Sequence, residues 1–318
     1  MSLTAQPIPL TPQTTATSTA AQERKGLWLG LLGVAVFSLT LPMTRVAVGT
    51  PDAPQMSGVF VAMARAAVAG GLSALLLWWQ GAVRPTPAQW RLLALTALGV
   101  VFGFPLLTSI AMRYVSATHA AVMTGLLPLV TAAVGALLAR QRPSAGFWWC
   151  AVLGAAMVVG FALYQSGSAS LALHPADGLL LVAMLLASIG YAFGARLSQQ
   201  MKPAHVICWA LVISLPITLP ATWFSWPAQP VAGSAWGALA YVAVFSMWLG
   251  FFAWYKGLAL GGTVRVSQTQ LVQPILAMLV AIPLLGESLD IVSLGFGLAI
   301  IATVAIGRTM KINTPATS

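Results

Sequence analysis

Few side chains in this sequence could do chemistry in an apolar setting, and the densest group lies in SQTQLVQPILAMLVAIPLLGESLD, residues 267–290. Gln270 and Gln273 approach Pro274, a long apolar run follows, and Glu287 stands just past its end. On a helical wheel Gln273 lies about 40° from Thr269 and about 60° from Gln270, so the three form one polar stripe. Amides facing hydrocarbon would be unsatisfied, so the stripe faces a bundle interior, either as glue between helices or as the lining of a polar cavity. Arg65, in FVAMARA (60–66), is the one charge well inside an apolar run. It either attracts a substrate carboxylate or donates to backbone carbonyls between helices, because a cation facing lipid costs at least about 2.5–3.5 kcal/mol. His119, near the end of another run, is either an interfacial polar residue or a group for proton coupling. Glu287 reads as helix-end structure and not as a coupling carboxylate.

Other chemistries find no constellation. There is no GxxxxGK[ST] loop to cradle a nucleotide phosphate, so ATP is not expected to drive the chain. Gln165-Ser-Gly-Ser168 lacks the GxSxG spacing of a nucleophile elbow. His119, His174 and His205 lie apart, and Cys150 and Cys208 sit in apolar runs without paired spacing, so neither a metal site nor a disulfide framework is expected. All five acids fall in tails, loops or run ends. No catalytic residue, cofactor or metal is assigned, and an enzyme is not expected.

The elements that must position these residues follow from composition. The 318 residues are 59% hydrophobic and only 6% charged, against about 25% charged in soluble domains. The solvent for most side chains is therefore lipid. The net charge of +10 is spread singly between apolar runs, so it reads as topology and not as a nucleic-acid surface. Runs long enough to cross a core of about 30 Å occur at 27–48, 56–80, 90–112, 119–139, 146–166, 177–197, 205–224, 234–256, 266–285 and 289–308. With the N-terminus inside, twelve of the fifteen basic residues fall at inside ends, from Arg24 and Lys25 to Arg308 and Lys311. Arg45 and Arg113 fall outside. The sequence thus predicts an all-α membrane protein of ten spans with both termini cytoplasmic, flanked by tails at 1–23 and 310–318.

Span four (118–144) resembles span nine (264–290), aligning Pro128 with Pro274, and span one resembles span six. Five spans per half give two inverted repeats, at 24–168 and 175–309, a plan of secondary transporters. The Arg within FVAMARA, the early prolines of spans four and nine, and the LLGESL close (284–289) together resemble the EamA-type transporters of the drug/metabolite transporter (DMT) superfamily. Within it, the chain is most similar to the YddG-type amino-acid exporters. One departure is that the first half has Arg140-Gln141 where the second has Gly286-Glu287.

The resemblance implies a multi-pass inner-membrane transporter that exports amino acids, including aromatic ones, by alternating access. A multidrug or other metabolite carrier, or a passive channel, are the alternatives. The expected partners are the lipid bilayer and a small amphipathic substrate. Residues expected at the substrate site are Thr40, Met43, Phe104, Met123, Thr124, Tyr191, Trp248, Phe252, Gln270 and Gln273, with Arg65 and His119 for charge or coupling. Tyr241, Phe245, Trp248, Phe252 and Tyr255 recur at 4, 3, 4 and 3 residues. They form a seam on one helix face, read either as packing or lipid contact or as a wall for apolar substrates.

Overall fold

A computed structural model describes residues 20–138, 142–165, 174–261, 266, 268–288, 290–310 and 312–313. Residues 1–19 and 314–318 of the expected tails lie outside these, as do Arg140 and Gln141; residues 20–23 already belong to the first helix. Eight helices are long and apolar enough to cross a membrane: α1 (Ala20–Val48), α2 (Gly58–Trp79), α3 (Pro87–Ala111), α4 (Ala117–Leu138), α5 (Ala145–Tyr164), α6 (Pro175–Leu197), α7 (Pro203–Phe224) and α8 (Gly233–Gly261). Two further apolar helices, α9 (Thr269–Leu285) and α10 (Ile291–Gly307), are shorter. At 1.5 Å per residue, α9 reaches only about 26 Å. A two-residue ladder pairs Arg142 and Pro143 with Asn313 and Ile312.

Local sequence sets the helix boundaries. Ser57 accepts from the Phe60 N–H to open α2, Thr86 and Gln89 form a capping box ahead of α3, and Ser116 accepts from the His119 N–H to open α4. Asp290 caps α10 through the Ser293 N–H and hydroxyl, and these bonds hold its carboxyl below the ordinary value. Gly286 ends α9 in the left-handed region at φ 66°, which glycine adopts without strain.

Inside the bundle the helices are interrupted. α1 breaks at Leu39, three residues before Pro42, and α4 breaks at Gly125-Leu126, just before Pro128. α9 starts as a 3-10 turn, Gln268–Val272, before Gln273 and Pro274. Both α3 and α8 contain a π-helical stretch, Leu98–Gly103 and Val242–Leu249. Such stretches insert a residue and turn the following side chains to a new face.

Helix α1 packs on α8, α6 on α3, α2 on α7, α4 on α6 and α9, and α5 on α10. Two of these contacts are made backbone to backbone. A methyl placed on Gly26 of α1 would lie 2.6 Å from Cα of Gly261 in α8, and one on Gly99 of α3 would lie 2.7 Å from Cα of Gly190 in α6. The small-xxx-small pairs at 99/103, 190/194 and 257/261 thus serve packing. Outward faces carry exposed Leu75, Val152, Leu153 and Ile217, with exposed tryptophans Trp78, Trp149 and Trp223 near helix ends. This is the distribution that suits a bilayer with an aromatic belt at each interface.

Gly26→Leu and Gly99→Leu are therefore expected to destabilise the protein by about 1–3 kcal/mol or more through overpacking. Gly178→Leu, which meets nothing within 4 Å, is expected to be silent. Melting curves of the three purified variants in one detergent check this.

Candidate functional site

The interrupted segments surround a set of adjoining cavities. The largest, about 390 Å³, is lined by residues of α4, α6, α8 and α9, among them Thr131, Tyr191, Trp254, Leu258 and Gln270, and it reaches exposed Leu138 and Arg196. A second of about 30 Å³ is lined by Thr40, Arg65, Phe104, Thr124, Tyr191, Ser246 and Gln273, with Phe37 and Phe251 beside them. A third, about 10 Å³, lies against Thr124, Gln270, Gln273 and the two span prolines, Pro128 and Pro274. Tyr191 is common to the first two, Gln270 to the first and third, Gln273 to the second and third.

Of the residues expected from the sequence, Thr40, Phe104, Thr124, Tyr191, Gln270, Gln273 and Arg65 come together here. Gln270 is 3% exposed, and neither its amide nitrogen nor its oxygen has a partner among the described residues. Thr269, in contrast, turns its hydroxyl back onto Val266 O at 2.7 Å. Because the first turn is 3-10 and not α, the stripe is narrower than the wheel predicts: the glutamines, and not Thr269, line the cavities. Arg65 donates through Nη2 to Ser246 Oγ at 3.2 Å, and Ser246 Oγ lies 2.8 Å from Thr40 Oγ1. One polar chain thereby ties α2, α8 and the break in α1.

Four of the ten residues expected at the substrate site lie elsewhere. Met43 and Met123 pack into the hydrophobic core around α4, Met123 fully buried. Trp248 and Phe252 pack on each other with ring centres 5.1 Å apart, against the other core, and line none of the three cavities. The α-helical period carried the aromatic seam onto one face, but the π-helical stretch Val242–Leu249 breaks that period. Phe251 and Trp254 take the cavity face instead, and Phe245 is left 46% exposed. Ser246, the one hydroxyl within that stretch, and Trp254 are cavity residues that the sequence reading missed.

His119 sits apart from the cavities. Its Nε2 lies 2.7 Å from Asp177 Oδ1, with both side chains buried and Phe161 beside the imidazole at 5.2 Å between ring centres. The other oxygen of Asp177 accepts from the His174 N–H, completing the cap of α6. Asp177 is at a helix end as expected but is only 1% exposed. Close by in the fold, at the start of the same α4, Glu287 accepts from the backbone N–H groups of Ala117 at 2.7 Å and Thr118 at 2.8 Å. Glu287 is helix-end structure as expected, but for α4 and not for its own helix; a carboxylate complements the positive helix start. Arg45 donates to Met112 O at the end of α3, and Arg113 donates to Val48 O at the end of α1 and to Met56 O in the loop before α2. Their place outside the basic pattern reflects this structural work.

A family profile described as the EamA-like transporter family matches residues 24–163 and again 174–308. The chain belongs to that family. As a member of the EamA group, within the DMT superfamily, it is 41% identical over 286 residues to the uncharacterized transporter YdeK of Bacillus subtilis (strain 168), covering 88% of this chain and 96% of that one. It is 22% identical over 302 residues to a probable terminal-alkyne amino-acid exporter of Streptantibioticus cattleyicolor, covering 92% and 98%. A solved crystal structure superposes with a TM-score of 0.60 over 89% of this EamA chain and 96% of the other, at 16% identity, which establishes likeness of fold alone. The protein is thus a multi-pass membrane transporter.

Substituting Glu287 by Gln keeps one acceptor oxygen and leaves one N–H of α4 unpaired. The expected loss is about 1–3 kcal/mol, read as a lower melting temperature in detergent. An unchanged melting temperature would remove the clamp assigned to Glu287.

Proposed function

We propose that this protein is a ten-span secondary transporter of the inner membrane that exports amino acids, hydrophobic and aromatic ones included, by alternating access. The observation that carries the reading is the cavity set between α4, α6, α8 and α9, with the amide of Gln270, unpaired among the described residues, on its wall. Buried polar atoms ordinarily find partners, so an orphaned amide facing a cavity suits a ligand that comes and goes. The cavity walls combine Phe37, Phe251, Trp254 and Leu258 with Thr40, Thr124, Gln270 and Gln273, a mixture matched to a small amphipathic molecule.

Inverted repeats at 24–168 and 175–309 would pair α1 with α6, α2 with α7, α3 with α8, α4 with α9 and α5 with α10. Under that exchange the α1–α8 contact becomes the α6–α3 contact, while α2–α7, α4–α9 and α5–α10 map onto themselves. The two π-helical stretches fall in exchanged helices α3 and α8, and the two family matches divide the chain at the same place. In the basic pattern Leu138 and Arg196 stand at cytoplasmic ends, so the large cavity faces inward. The Glu287 clamp and the His119–Asp177 pair lie at the other end. Closure at one end and access at the other is what a rocking carrier requires and a passive channel does not. The amino-acid assignment draws on the resemblance to amino-acid exporters and on the relative named as a probable exporter of one.

Proteoliposomes loaded with unlabelled substrate and given labelled phenylalanine, threonine or methionine outside are expected to show saturable, protein-dependent counterflow. Absence of flux for all three would remove the amino-acid assignment. Gln270→Leu and Gln273→Leu are expected to lower that flux at least tenfold. Leu279→Ala, on a 52% exposed position of the same helix, is expected to leave it near the wild-type level; equal losses at all three positions would deny the glutamines a cavity role.

A further inference from the structure

We propose that Arg65 is the receptor for a substrate carboxylate, so that this site selects molecules bearing one carboxylate and rejects free amines, amides and organic cations. The proposal deepens the transport reading by naming the group the site must recognise, and its binding test stands apart from that reading.

Arg65 is 2% exposed and is the eighth of the 22 residues of α2, about two turns inside the helix. A guanidinium carries five N–H donors and accepts nothing. One nitrogen, Nη2, reaches Ser246 Oγ, while Nε and Nη1 have no partner among the described residues. An arginine serving as glue between helices would hold backbone carbonyls, as Arg45 and Arg113 do. Arg65 holds none among the described residues; it lines the cavity of about 30 Å³ instead.

The charge also lacks an internal counterpart. The chain has five acids. Asp177 is engaged by His119, Glu287 clamps the start of α4, and Asp290 caps α10. Asp52 stands exposed in the loop between α1 and α2. Glu23 lies in the first turn of α1, about 25 Å along that helix from Thr40 at the cavity. A buried cation left without an anion is among the costliest arrangements in a protein interior, and more so at membrane depth. An incoming carboxylate relieves it, and the planar fork of the guanidinium fits a carboxylate through two parallel bonds.

The surroundings narrow the ligand further. The small cavity holds a headgroup, and the cavity of about 390 Å³ that shares Tyr191 with it holds an apolar body against Trp254 and Leu258. Thr124 donates its proton to Ala120 O at 2.8 Å, so its hydroxyl faces a ligand as an acceptor suited to an ammonium group. Among the described residues Arg65 is the single cation lining the small cavity, which fits a monoanion and not a phosphate dianion that needs paired cations. Arg196, exposed on the large cavity, adds positive potential that draws anions in.

The test reads binding without flux. Melting of the purified protein in detergent is followed with the twenty free amino acids, their amides and the corresponding decarboxylated amines. At least one free acid is expected to raise the wild-type melting temperature, with its amide and amine inert. Arg65→Gln, which removes an uncompensated buried charge, is expected to melt at or above the wild-type temperature without ligand and to lose the response. Arg65→Lys should keep the response with half-saturation raised at least tenfold. A wild type that responds to no free acid, or equally to amides or amines, overturns the proposal, as does an Arg65→Gln protein that responds as wild type, whatever its own melting temperature. A wild type that binds the acid but carries none in proteoliposomes would instead sink the transport reading and leave this one standing.

Discussion

Gly26 on Gly261 and Gly99 on Gly190 are contacts of bare backbone, and the placement of the other helices depends on them. Lipid supplies little hydrophobic drive for helices to associate, so close approach and the dispersion it brings must hold the bundle. Helices α1, α8, α3 and α6, joined in these two pairs, all contribute walls to the cavities. Where backbone is this close there is no slack to absorb a change of shape. Adaptability is placed instead in the interrupted segments: the break at Leu39, the break at Gly125-Leu126, the 3-10 turn before Gln273, and two π-helical stretches.

Polarity in the interior follows the same economy. Each interruption frees backbone groups that a continuous helix would satisfy, and four of the five carry hydroxyl or amide side chains at or beside them: Thr40, Thr124 and Ser246 at three, Gln270 and Gln273 at a fourth, while the π-helical stretch Leu98–Gly103 carries none. Non-helical backbone at membrane depth is tolerated where it is buried in protein or lines a cavity. The irregularities and the polar lining are therefore one feature, and the charge of Arg65 is set at its centre through Ser246.

Much of this was legible in the sequence because hydrocarbon imposes a simple rule, that long apolar runs become helices. The run at 56–80 corresponds to α2 nearly residue for residue, and the run at 27–48 shares its end with α1, which begins seven residues earlier. The polar residues Thr40, Arg65, Gln270 and Gln273 stood out because so few competed with them. What stayed hidden was whatever depends on departures from the 3.6-residue period. Regular spacing left Trp248 and Phe252 open to packing or to a substrate wall; they pack on each other, and beyond the π-helical stretch Phe251 and Trp254 take the cavity face. Ser246 was one small hydroxyl without neighbours to mark it. Asp177 follows His174-Pro175 as an ordinary capping acid would, and nothing local announces that His119, 58 residues earlier, closes over it.

The carboxylate of Glu287 has a consequence for the order in which the molecule is made. Ala117 and Thr118 emerge about 170 residues before the side chain that satisfies their N–H groups. Until the turn after α9 is in place, Ser116 alone caps the first turn of α4, and the N–H groups of Ala117 and Thr118 lack their carboxylate. A single long-range contact thus makes the start of a central helix depend on a side chain about 170 residues later in the chain.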